Sequence, residues 1–170
     1  MPKQKNKGFT LIELLVVLAI IALIGTMAGV AVMSAREKSR DFKRMADMTE
    51  IQSALEDYFN QNNTYPDGSA LPLGDTVQSA CLSSEGFKSS CSGDSIVFMS
   101  IVPAIYSGGL KNLVQCGDPA RTAYCYSLLQ DGASYAVNVE FERNIVERGI
   151  VKGVNCATPS GLVAGTCSVE

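Results

Sequence analysis

The sequence predicts an α+β protein: one long N-terminal helix packed on a small antiparallel β-sheet that disulfides stabilise. Three observations predict it. An apolar run from Phe9 to Met33 leads into a stretch, Ser34 to Asn62, with neither Pro nor Gly. Two alternating segments, "TAYCYSLL" and "SYAVNVEF", flank an Asp-Gly turn. All six cysteines lie beyond residue 80, an even count confined to one region.

The first element is a basic tail, Lys3, Lys5 and Lys7, ending at Gly8. Phe9 to Met33 then holds one charged group, Glu13. A helix of that length spans about 37 Å, enough for a bilayer core with tilt. A secretory signal would be followed by a small-residue cleavage site, but "VMSAREKSR" runs straight into charge. The small residue at a usable junction is Gly8, and cutting there releases the tail and keeps the helix. Both flanks of the run are basic, so charge counting leaves its orientation open. The cysteines break the tie, because disulfides persist in an oxidising compartment and put the C-terminal part outside.

Phe42, Met45, Met48, Ile51, Leu55 and Tyr58 recur every three or four residues. This is the apolar stripe of an amphipathic helix continuing the first, with charges on its other faces. A coiled coil is the duller alternative, without the clean heptads to support it. "NQNNTYPDGS" ends the helix through Pro66 and Gly68. One helix from Phe9 to Asn62 would be about 80 Å long. Residues 67–95 read as a loop crossed by Cys81 and Cys91. "SIVFMSIVPAIYSGG" reads as strand or short helix, cut short by Pro103. The hairpin follows, with Tyr124, Tyr126 and Leu128 on one face of its first strand. Tyr135, Val137, Val139 and Phe141 share a face of the second. "NIVERGIVKGV" reads as a third strand and "CATPSGLVAGTC" as a loop closed by two cysteines.

The chemistry available is narrow. With no histidine, Ser–His and Cys–His nucleophile pairs cannot be built. No cysteine pair has CxxC spacing, and neither a Walker motif nor GxGxxG occurs. No catalytic residue and no metal ligand set is assigned, so the chain does not read as an enzyme. The formal charge is −3, and losing residues 1–8 would make it more acidic, which argues against nucleic acid as a partner.

Glu13 is the anomaly. A carboxylate deep in a bilayer costs roughly 2.5–3.5 kcal/mol and usually has a partner. Either it sits hydrated at the membrane face, or it pairs with a cation. A cut after Gly8 would make one, the Phe9 α-ammonium, with an ordinary pKa near ~8. In staggered, packed rods, Glu13 of one chain would meet Phe9 of the next. Apolar faces would supply attraction and the charge pair would supply register.

These residues match a family pattern. "KGFTLIELLVVLAIIALI", followed by "SAREKSRDFKRMADMTEIQSALEDYFNQNNTYP", resembles the N-terminal region of type IV prepilins and type II secretion pseudopilins, over about the first 66 residues. The resemblance implies a pilin fold and four segments. These are a cleaved leader (1–8), a transmembrane and filament-core helix (9–33), the amphipathic half of the same helix (34–63) and a globular domain (64–170). It implies a prepilin peptidase that cuts between Gly8 and Phe9 and methylates the Phe9 amine. It implies a membrane assembly platform with an ATPase, and identical or related subunits as polymer partners. The precursor would cross the inner or cytoplasmic membrane once, N-terminus inside, before joining an extracellular or periplasmic filament.

Relatives often carry Pro at the position of Val30 and Gly at that of Ala22. This chain has neither, which makes Gly25 and Gly29 the places where the helix would unwind in a filament, or simply pack closely. Pairing sequence neighbours is the simplest of fifteen cysteine connectivities: Cys81–Cys91, Cys116–Cys125, Cys156–Cys167. Major pseudopilins often bind calcium in the C-terminal loops, and the resemblance extends that expectation here. Asp118 and Asp131 are candidate ligands, but both fit ordinary turns, and no site is assigned. The expectation is a surface type IV pilus subunit, chosen over the alternative, a pseudopilin of a secretion or DNA-uptake machine. Three disulfides and the lack of an acidic cluster motivate that choice.

Overall fold

A computed structural model describes residues 8–167. Lys3, Lys5 and Lys7, and with them nearly all of the expected leader, lie outside the described residues. The chain divides into two units, one through Arg36 and one from Glu37.

Helix α1 runs Leu11–Asn62 without a break. It ends at Asn63, which adopts φ 56°, the left-handed conformation that asparagine tolerates at a helix C-terminus. The Asn63 N–H donates to Phe59 O at 2.8 Å, and the Asn62 side chain donates to Tyr58 O at 3.0 Å. In the first unit every helical side chain up to Arg36 is exposed. Among the described residues, α1 is the helix long and apolar enough to cross a membrane.

In the second unit the main sheet is five-stranded and antiparallel. Its strands are β1 (Leu71–Leu73), β7 (Tyr124–Leu129), β8 (Ser134–Phe141), β9 (Gly153–Thr158) and β10 (Gly161–Ala164), in that spatial order. A second sheet contains β2 (Cys81–Ser83), β3 (Gly86–Lys88) and β4 (Val97–Met99), and β5 (Gln115–Cys116) pairs with β6 (Arg121–Thr122). Pro72 sits in β1, an edge strand, where a missing N–H is tolerated. The alternation of β8 buries Tyr135, Val137, Val139 and Phe141 against Met48, Ile51, Leu55 and Tyr58 of α1.

The predicted hairpin is β7–β8, joined by a short 3-10 turn at Gln130–Gly132. Four expectations need correction. Residues 67–95 are not simply a loop; they supply β1 and the β2–β3 hairpin. "NIVERGIVKGV" is mostly a turn, with a 3-10 segment at Val146–Arg148, and only its last two residues enter β9. "CATPSGLVAGTC" contains the β9–β10 hairpin, turning at Pro159–Ser160. These strands are too short, or too rich in Gly and small residues, to show a period-two pattern. Finally, the buried stripe of α1 begins with Asp41 and Arg44, while Phe42 is half exposed. An ion network outcompetes the apolar side chain there.

Candidate functional site

The N-terminal end of α1 holds the sequence-predicted residues. Thr10 precedes the first helical residue and Glu13 is the third. The Thr10 N–H donates to Glu13 Oε2 at 2.9 Å, and the Thr10 hydroxyl donates to the same oxygen at 2.8 Å. In return the Glu13 N–H donates to Thr10 Oγ1 at 3.3 Å. This is a capping box, which satisfies two helix-end donors reciprocally and sets a carboxylate at the positive end of the helix dipole. The sequence reading weighed a neighbouring amine or water as the partner of Glu13 and missed the helix's own end. The signal was the Thr-x-x-Glu spacing before an apolar run. Gly8 and Phe9 are exposed and lie just before the helix. The helix passes through Gly25 and Gly29 unbroken, and a Cβ at either would meet nothing within 4 Å.

Further along α1, a charged cluster fixes the helix to the sheet. Arg44 is 1% exposed. Its Nη1 donates to Asp41 Oδ1 at 2.8 Å and Glu142 Oε1 at 2.7 Å, and its Nη2 to Tyr106 O and Gly108 O. Arg40 grips Glu142 with two hydrogen bonds, through Nε and Nη2. Asp41 accepts the Glu142 and Arg143 N–H groups just after β8. Nearby, Tyr124 donates to Asp47 at 2.7 Å, and Glu140 accepts from Lys111 N and Leu113 N. Together these bonds order the chain between β4 and β5, which forms little regular structure. The Arg40 hydrogen bonds hold the Glu142 carboxyl below its ordinary 4.5, with Arg44 adding to the effect against partial burial. Burial, then the Asp47 acceptor, pushes the Tyr124 phenol well up. Nothing in "REKSRDFKRMAD" announces burial, because the partners that cover it on the globular side lie 62 to 102 residues away.

The cysteines join as Cys81–Cys91, Cys116–Cys125 and Cys156–Cys167, with sequence separations of 10, 9 and 11. Cys125 and Cys156 flank Asn138 across β7, β8 and β9, so two of the bonds stand on the sheet face away from α1. Asp118 and Asp131 are exposed turn residues. Among the described residues no group of three or more His, Cys, Asp or Glu is placed to hold a metal ion.

Residues 3–29 match the family model described as the prokaryotic N-terminal methylation motif. The chain is 33% identical over 66 residues to the type II secretion system core protein G of Aeromonas hydrophila, covering 39% of this chain and 46% of that protein. It is 34% identical over 62 residues to the protein of that name from Pectobacterium carotovorum subsp. carotovorum, covering 36% and 40%. The protein of that name from Escherichia coli (strain K12) is 34% identical over 63 residues, covering 37% and 43%. The chain thus spans less than half the length of these curated relatives. No solved structure matches it. The resemblance to the pilin and pseudopilin family is carried by the N-terminal segment, and the relatives are named as components of a secretion system rather than as enzymes.

Proposed function

We propose that the chain is a pseudopilin-type structural subunit, held in the membrane by α1 and polymerised through it. The observation that carries this reading is a coincidence in one segment. The methylation-motif match at residues 3–29 falls on an apolar helix whose side chains lack cover and whose first turn holds the lone carboxylate. Residues 1–8 would be the leader, removed between Gly8 and Phe9 by a prepilin peptidase that also methylates the Phe9 amine. Residues 9–33 would span the bilayer and later form the filament core, 34–63 would continue the helix, and 64–170 would be the outer domain. A membrane platform and its ATPase would draw the subunits out to join identical or related ones.

The names of the relatives favour the secretion-type reading over the surface type IV pilus that the disulfides first suggested. Disulfides suit any oxidising compartment, including the one a periplasmic filament would occupy. They do not discriminate between the two.

Glu13 would serve twice: it caps its own helix in the lone precursor, and it accepts a neighbour's Phe9 ammonium in the polymer. Two variants separate these roles. Thr10→Ala removes the cap partner and keeps the charge, at a cost of about 1 kcal/mol to the helix end. Glu13→Ala removes both. Fibre yield that survives the first and collapses in the second supports register by charge; equal losses reduce Glu13 to a cap. The direct test is mass spectrometry of sheared fibres. A chain beginning at methylated Phe9 supports the proposal, and an uncut chain found only in membranes rejects it.

A further inference from the structure

Two grooves of the second unit flank the buried stripe of α1 on opposite sides. At about 3.6 residues per turn, Lys38 borders that stripe on the Asp41 side and Glu50 and Asp57 border it on the Ala54 side, while Phe42 and Ser53 share the face opposite the stripe. The first groove, about 290 Å³, lies between Lys38–Phe42 and the turn at residues 143–147. Val146, 85% exposed, stands out from that turn. The Lys38 ammonium lies 5.6 Å over the Phe42 ring, and Arg143 is positioned by the Asp41 bond to its N–H. The result is an apolar knob beside two cations, Lys38 and Arg143, and two carboxylates, Asp41, buried and paired with Arg44, and Glu147, exposed.

The second groove, about 430 Å³, lies between Glu50–Asp57 and residues 98–101. Glu50 and Asp57 are exposed on its rim, Met99 and Ala54 are buried beneath, and Ile101 forms a lip that is 77% exposed. The ion pairs formed among the described residues use other side chains than Lys38, Arg143, Glu50 and Asp57.

We infer that these are the two halves of one interface between successive copies of this chain, the Val146 knob of one entering the acidic groove of the next. Charge decides the pairing. A twofold contact through the acidic groove would set Glu50 and Asp57 against their own copies, whereas knob against groove sets Lys38 and Arg143 against Glu50 and Asp57. Because the surfaces lie on opposite flanks, a copy that uses one still offers the other. That is the head-to-tail arrangement which propagates rather than closes. The levels also differ: Phe42 and Ser53 are about 16 Å apart along the helix axis, so the contact imposes an axial shift. The inference rests on the polymer reading and adds the contact between the globular parts.

The full-length chain carrying Val146→Cys and Ile101→Cys is treated with a short bis-maleimide, which leaves the native disulfides alone, and fibres are sheared and sedimented. The double variant is expected to give a covalent ladder that neither single variant gives. Glu50→Lys with Asp57→Lys should lower the ladder about tenfold, and adding Lys38→Glu with Arg143→Glu should restore it. Sedimenting fibres without a ladder overturn the docking and leave the polymer standing. Membrane-retained chain with neither fibres nor ladder overturns the polymer reading and the docking with it. A loss on reversing Lys38 and Arg143 that reversal of Glu50 and Asp57 fails to restore also overturns it, and assigns these two cations to anionic lipid.

Discussion

The two halves of α1 invert the usual rule for what lies inside a protein. Before Arg36, leucines, isoleucines and valines stand exposed along the helix, Leu14 at 57% among them. After Glu37, Asp41 and Arg44 are each 1% exposed. Each exposed aliphatic side chain forgoes about 1.5–3 kcal/mol of burial, which a cover of lipid or other helices would return. In the second half, desolvated charges persist because nearly every donor and acceptor is met within the same unit. One half is unfinished without partners. The other is finished and uses its charges to fix geometry.

That contrast is broken most severely at Arg44. Arg44→Ala leaves Asp41 buried without its cation and two carbonyl oxygens unmet, and should cost about 3–5 kcal/mol by denaturant titration of the full chain in detergent. Leu14→Ala is the counterpart. It should move the same unfolding transition by less than about 0.5 kcal/mol while reducing fibre yield. A shift of similar size in both would erase the distinction.

Tyr124→Phe probes the same cluster more gently. It leaves Asp47 buried without its donor and should cost about 1–3 kcal/mol. Gly29→Ala tests the first half. With open space at that position and a helical backbone, the isolated helix should gain about 1 kcal/mol of propensity. Higher helicity by circular dichroism with unchanged fibre yield would mean that no unwinding at Gly29 is needed. Lost yield would mean that the polymer requires the glycine.

Glu142 supplies the pH test. Its folded pKa is depressed, so the stability it contributes is present above the ordinary 4.5 and is lost as pH falls through the lower folded value. Unfolding midpoints should therefore drop in that acid window, and Glu142→Gln should flatten the drop. An unchanged slope in that variant would place the acid sensitivity elsewhere.

The long helix, its stop near Asn62, the β7–β8 hairpin and the capping pair could all be read from local pattern, although the last was overlooked. Each is a short-range property: a period, a turn dipeptide, a Thr-x-x-Glu spacing. Methylation-motif residues are legible for the same reason, since they lie in one continuous segment. Tertiary structure alone decided that Arg44 goes inside and Phe42 half outside, because Glu142, Tyr106 and Gly108 approach α1 only when the chain is folded. It likewise made strands of Leu71–Leu73 and Gly161–Ala164, whose backbone groups pair only once β7 and β9 are in place. Local sequence sets which conformations are cheap; desolvation and long-range hydrogen bonding choose among them.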